Sequence, residues 1–376
     1  MPTLTPRDRV RCALSHREPD RVPVDLCGTY ASGIILSAYR GLCAALGIGT
    51  ELREQSLRDS LAVPDEPVLR RLGVDTRAVT VNTPDQWLTP HADGTRTDGW
   101  GVVWAKPAQG HYYVHGSPLA GDVTVADVEA LRFPDPDDPR IVEGLVERVR
   151  RLREETDYAI CLNIPSRLVH LIQFLRGYAD SMMDLVAGVD MIDALMDRIT
   201  DFNVRAMERV LRLVGDSVDV VCVGDDLGTQ KGPFLSPETY RKRIKPHQRR
   251  LLATVRALTE APIFYHTCGS VAPLIPDLIE IGVQALNPVQ VSAEGMDPVA
   301  LKREFGRDLA FWGAIDTHHV LPHGTPADVA DEVRRRFREL GPGGGWVCAA
   351  VHHIQPDVPA TNIVALFEAA AECRYG

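Results

Sequence analysis

Residues 262–269 read Pro-Ile-Phe-Tyr-His-Thr-Cys-Gly, and this stretch decides the fold. It is a short continuous apolar run that stops abruptly in polar residues and a glycine. A run of that kind, without polar alternation, fits a strand covered on both faces, as in a parallel sheet. The same pattern recurs at 22–26, 76–81, 158–164, 218–223, 283–289, 309–315 and 346–350, and most of these runs are followed by a helical pattern. Eight β-then-α units make a closed (β/α)8 TIM barrel the economical architecture. An open doubly wound sheet is the alternative, but no G-x-G-x-x-G or Walker fingerprint follows any run.

The helices between the runs carry their own punctuation. Thr5-Pro6 opens an N-terminal helical extension over 7–17, ahead of the first run. Ser236-Pro237-Glu238 starts a helix carrying Tyr240, Ile244 and Leu251, and 190–214 gives a longer amphipathic one. Met296-Asp297-Pro298 and Gly324-Thr325-Pro326 start two more, with Gly306 and Gly341 as C-cap candidates. One region breaks the rhythm. Residues 89–119 are rich in Gly, Trp and Tyr, with turn signals at Asp98-Gly99 and Gln109-Gly110, and read as a β-hairpin insertion. With no repeat and no linker, the expectation is a single domain over 1–376.

The 376 residues carry a net charge of -10, with acidic and basic residues interleaved. That balance gives no reason to expect nucleic acid or an anionic membrane as partner. No apolar stretch is long enough to span a bilayer. Eight cysteines lack a framework spacing, which indicates a reduced, cytoplasmic protein.

In a parallel barrel, side chains at the carboxyl ends of the strands converge on one mouth, where chemistry forms. That rule selects Asn163 and Arg167, Asp225 and Asp226, His266 and Cys268, Gln290, Asp316, and His352 with His353. The sharpest feature is His266-x-Cys268. On an extended segment the two side chains share one side, and together they suit a soft or borderline metal such as zinc. His352, at the mouth end of the last run, completes a three-ligand open site; Cys348, within that run, is the alternative third ligand. Asp226 and Asp316 are candidate acid–base groups, with helix capping as the competing role for Asp225, Asp226 and Asp316. Asn163, Arg167, Asp225, Gln290 and His353 are candidate contacts to a small-molecule substrate. Arg167 could clamp a carboxylate or simply sit in a surface salt bridge.

At these residues the chain resembles the uroporphyrinogen decarboxylase superfamily. The likeness rests on His266-Thr-Cys-Gly-Ser, Leu286-Asn-Pro-Val-Gln, Trp312-Gly-Ala-Ile-Asp316 and His352-His-Ile-Gln-Pro-Asp. Arg21-Val-Pro-Val, Asp226-Leu-Gly-Thr-Gln and Ser236-Pro-Glu-x-Tyr240 fit too, so it covers nearly the whole chain. The resemblance implies a (β/α)8 barrel and one of two chemistries: cofactor-free porphyrinogen decarboxylation, or zinc-dependent methyl transfer between corrinoid proteins and thiols. The decarboxylases carry an arginine-rich M-R-Q-A-G-R segment after the first strand. Here Leu26-Cys27-Gly28-Thr29-Tyr30-Ala31 stands in that place, with no arginine until Arg40. A substrate with eight carboxylates needs that compensation, so the methyltransferase branch is the closer one.

That branch carries a H-x-C pair and a later cysteine, whose place here is taken by His352. One thiolate rather than two leaves a bound zinc more electrophilic, which suits a harder donor or acceptor such as an alkoxide or methyl ether. The D-x-H-x-x-G motif of a corrinoid-carrying domain is absent, so a corrinoid (cobalamin-type) methyl carrier would arrive free or on a partner protein. A homodimer is consistent with the family. Two other functions compete: a metal-free decarboxylase or lyase using Asp226, Asp316 and His352, and a non-catalytic tetrapyrrole-binding barrel.

Overall fold

Short apolar strands bury both faces only when helices cover one side and neighbouring strands enclose the other. The computed structural model of the chain, which describes residues 3–56, 60–107 and 111–376, has this arrangement. Seven parallel strands pair in chain order: β1 (Thr76–Thr80), β2 (Ala159–Asn163), β3 (Val220–Gly224), β4 (Ile263–His266), β5 (Ala285–Asn287), β6 (Ala310–Ile315) and β7 (Trp346–Ala350). The expected run at 22–26 forms no regular strand. It is the eighth stave all the same, because it bonds to both edges of the sheet. Cys348 N–H donates to Pro23 O at 2.9 Å, Asp25 N–H to Cys348 O at 3.0 Å, and Asp75 N–H to Val24 O at 3.0 Å. The ladder stays short for two local reasons: Pro23 has no N–H to give, and Cys27 turns the chain with φ 59°.

Strand alternation sorts the side chains into two cores. Ala159, Cys161, Val220, Cys222, Phe264, Ala285, Ala310, Trp312, Val347 and Ala349 pack together inside the ring. Their neighbours in sequence, among them Ile160, Leu162, Val221, Val223, Tyr265, Trp346 and Cys348, pack outward against the helices. The helices start where the sequence places them. Asp190–Val214 matches its expected bounds. The Asp297 side chain caps Pro298–Phe305, and Thr325 with Asp328 forms a capping box on Pro326–Leu340. Gly306 and Gly341 do follow helix ends, but with right-handed φ of -66° and -69°, so they are not left-handed caps. None of the described helices is long and apolar enough to cross a membrane.

The expected insertion is a four-stranded antiparallel meander: Thr89–Pro90, Arg96–Thr97, Val103–Ala105 and Tyr113–Gly116. Buried Asp98 organises its second bend, accepting from Trp100 N–H at 2.8 Å, Val102 N–H at 3.0 Å and Trp104 Nε1 at 2.8 Å. The turn signal at Gln109-Gly110 lies outside the described residues.

Below the ring, α1 (Pro6–Leu14) is tied to the first stave by buried charge. Fully buried Asp75 takes Arg9 Nη1 at 2.5 Å, Arg21 Nη1 and Nη2 at 2.9 Å each, and Val24 N–H at 2.8 Å. Arg9 in turn forks onto Asp20, at 2.7 and 2.9 Å. Removing one partner of such a network leaves the other charge buried and unpaired. Asp75→Ala is therefore expected to cost about 3–5 kcal/mol of stability, read as a lowered urea midpoint. An unchanged midpoint would refute Asp75 as the clasp of the ring.

Candidate functional site

Inward-facing Phe264 sets the phase of β4, so His266 two residues later also faces into the ring, at its carboxyl end. Beyond it the chain stays extended long enough to return Cys268 to the same side. Thr267 N–H donates to Asn287 O at 2.7 Å, and Cys268 N–H to Asp226 Oδ1 at 2.8 Å. Gly269 then turns away with φ 90°, where a Cβ would come within 2.4 Å of Gly228. Past β7 the chain leaves the strand and bends at Val351 and His352, and this bend separates the two candidate third ligands. Cys348 faces the helices and is fully buried, whereas His352 reaches the mouth. The result is a cluster of His266, Cys268 and His352 whose ligand atoms all lie within 4.8 Å of one another.

The cluster has directed lone pairs. His266 Nδ1 lies 2.6 Å from Asn287 Oδ1, an oxygen that can only accept, so Nδ1 carries the proton and the Nε2 lone pair is left available to a metal. Asn287 is fixed in turn by donating to Trp312 O at 3.1 Å. Cys268 Sγ sits 3.5 Å from His266 Nε2. Tetrahedral zinc with ordinary bond lengths separates its ligand atoms by about 3.3–3.6 Å, so the donor set fits a metal of that kind with a small closing movement of His352. Burial lowers the basicity of His266, and burial with His353 and His266 lowers that of His352 well below the ordinary histidine range. Burial also pushes the Cys268 thiol up.

Around the cluster lies a cavity of about 520 Å³. Its floor includes Asp226, His266 and His352; its walls include Tyr30, Phe174, Trp104 and Tyr112, the last two supplied by the insertion. Asp226 lies 3.5 Å from His266 Nε2 and 3.6 Å from His170 Nε2. Burial opposes its charge, but His266, His170 and the Cys268 amide hold its carboxyl below the usual range. Gly224 makes room for Tyr30, since a Cβ there would meet Tyr30 Oη at 2.5 Å and His266 O at 2.3 Å.

Several residues singled out in the sequence have other work. Asn163 does not line the cavity; it takes Tyr30 N–H at 2.9 Å and donates to Gly28 O at 3.0 Å, pinning the loop that carries Tyr30. Gln290 likewise lies off the cavity, accepting from Gly269 N–H at 2.7 Å. Asp316 is away from the cavity as well, and its Oδ1 accepts from His318 and His319 N–H at 2.7 and 3.2 Å. Each is a polar strand end spent on holding a loop. Asp225 does border the cavity, yet its carboxylate accepts from the amides of Leu168, Val169 and His170 at the start of α2 (Val169–Arg176). Arg167 lines the cavity 3.5 Å from Asp85, and His353 lines it while bonded to Tyr30 O at 2.8 Å. His170, Tyr30 and Asn287 were missed as site residues. Asn287 alone left a signal, lying in register beside His266 at the end of the neighbouring run.

Residues 115–373 match the family described as uroporphyrinogen decarboxylase (URO-D). The chain belongs to that family. Its relatives include both chemistries. It is 24% identical over 194 residues to the methylcobamide:CoM methyltransferase MtbA of Methanosarcina mazei, covering 51% of this chain and 52% of that protein. It is 25% identical over 251 residues to the uroporphyrinogen decarboxylase of Trichlorobacter lovleyi, covering 64% and 67%. This chain thus spans about half the length of the first relative. Among solved structures it superposes on a methyltransferase from Methanosarcina mazei with a TM-score of 0.69 at 20% identity, over 98% of this chain and 99% of that one. That likeness shows a shared fold over nearly the whole of both chains.

The Asn287 contact has a measurable consequence. Without it His266 is free to turn and to change tautomer, and lost contacts of this type weaken metal affinity by about 10–100-fold. Asn287→Ala is expected to show that loss in a competition titration with a chromogenic zinc chelator. Equal affinity in variant and parent would show that Asn287 does not orient the ligand.

Proposed function

We propose that this URO-D family protein is a zinc-dependent methyltransferase, moving a methyl group between a corrinoid and a small-molecule donor or acceptor. The observation that carries the reading is the His266–Cys268–His352 cluster, of which His266 and His352 line the cavity floor, with the His266 Nε2 lone pair left available by the Asn287 bond. Zinc held there would act as a Lewis acid on an oxygen or sulfur of the substrate and stabilise its anion.

The chain's own residues divide the remaining work. Asp226, anchored by the Cys268 amide, would sit beside the substrate heteroatom and orient it. Tyr30, Trp104, Tyr112 and Phe174 would pack on the carbon skeleton and keep water from the reacting atoms. Among the described lining residues Arg167 is the only arginine or lysine, and Asp85 already faces it. One engaged cation does not compensate a substrate with many carboxylates, which supports methyl transfer over porphyrinogen decarboxylation. The corrinoid, free or on a partner protein, would approach from the open mouth.

Metal analysis of protein purified without chelator tests the reading. We expect about one zinc per chain, lost in Cys268→Ser and retained in Cys348→Ser, whose thiol points into the helical layer. Zinc lost equally in both variants would exclude His352 as the third ligand in favour of Cys348. No metal in the wild type would move the chemistry to Asp226 and His352 as acid and base, and with it the function to a lyase.

A further inference from the structure

Asp225 and Asp226 flank a single imidazole. His170 Nδ1 lies 3.0 Å from Asp225 Oδ1, and its Nε2 lies 3.6 Å from Asp226 Oδ2, too long for a direct hydrogen bond. Among the described residues Nε2 makes no hydrogen bond, and the ring borders the cavity. The chain of groups is held at both ends: Asp225 by the three amides of Leu168, Val169 and His170 at the start of α2, and Asp226 by Cys268 N–H. An imidazole between two carboxylates, with one ring nitrogen engaged and the other at the cavity, is placed to hold a proton with one exit.

We propose that His170 carries the proton exchanged with the substrate heteroatom, and that Asp225 is the positioning residue that keeps its imidazole charged and aimed. This rests on the methyl-transfer reading above and assigns its proton. When a methyl group leaves an ether oxygen, the C–O bond breaks with its electron pair on oxygen, and the carbon bonds to the electron pair brought by the reduced corrinoid. The oxygen then takes the proton from His170 Nε2. The neutral imidazole left behind regains a proton from water after release.

Every charged group facing the ring bears on this role. Burial, Arg167 and the amino end of α2 disfavour an imidazolium. The Asp225 hydrogen bond, with the charges of Asp225 and Asp226, outweighs them, and the net displacement is upward from the ordinary histidine range. Phe174, 5.8 Å away between ring centres, packs on the imidazole without competing for a proton.

The test uses full-length protein labelled with 15N-histidine, whose His170 signals are identified by their loss in His170→Gln. At pH 7 both His170 ring nitrogens should read as protonated, and Asp225→Asn should lower their midpoint. In turnover with a methyl ether and reduced corrinoid, His170→Gln should lower kcat by about 100-fold or more with KM little changed, and abolish the alkaline fall in kcat. Asp225→Asn should shift that fall to lower pH along with the nitrogen midpoint. A neutral His170 at pH 7, or an alkaline limb that persists in His170→Gln, overturns the proposal. A wild type without zinc or turnover instead fails the methyl-transfer reading and removes the substrate from this assignment, while the nitrogen signals still decide whether the proton is held.

Discussion

The 2.6 Å contact between His266 Nδ1 and Asn287 Oδ1 is the constraint on which the site depends. It joins the ends of two adjacent strands, so the strand pairing itself fixes which nitrogen of His266 is free. Asn287 can play this part only because the His266↔Asn287 register places both inside the ring at one level. The next layer down is locked as well, with Trp312 giving its carbonyl to Asn287 and its Nε1 to buried Asp25 at 2.9 Å. Orientation at the mouth is thus inherited from packing in the barrel interior, where side chains have no room to turn.

That inheritance also explains why a buried layer of loop anchors surrounds the cluster. Asn163, Gln290, Asp225 and Asp316 each spend their polar atoms on backbone amides or carbonyls of the loops beyond the strands. An unmade bond by such a group in a buried place costs more than a made one contributes. Polar residues at strand ends therefore divide between those that serve a cavity and those that hold its rim, and residue type alone does not separate the two.

The barrel was legible because its strands are short, continuous and apolar, and because Thr325, Asp297 and Ser236 mark helix starts by side-chain chemistry that acts locally. The first stave was only half legible: 22–26 has the composition of a strand, but Pro23 and the turn at Cys27 reduce its pairing to a few bonds. Of the cluster, His266 and Cys268 could be read from a two-residue spacing. The preference for His352 over Cys348 rested on its position at the end of the run; in the structure Cys348 packs against the helices, while His352 lies past the end of β7, where the chain bends toward the cavity. His170 was not legible. It lies on a helix after the strand, and only the folding of α2 against the Asp225 carboxylate brings it to the cavity.

The cavity draws its floor and its walls from different parts of the chain. The cluster stands on strands whose register binds them to the whole ring, whereas Trp104 and Tyr112 come from a meander that the ring does not need for closure. Replacing or resizing that meander would change the shape offered to an incoming molecule and leave the floor beneath it untouched. Within one ancestral scaffold, this separation lets selectivity drift quickly while the reactive centre stays fixed, and it makes the meander the natural segment to exchange in redesign.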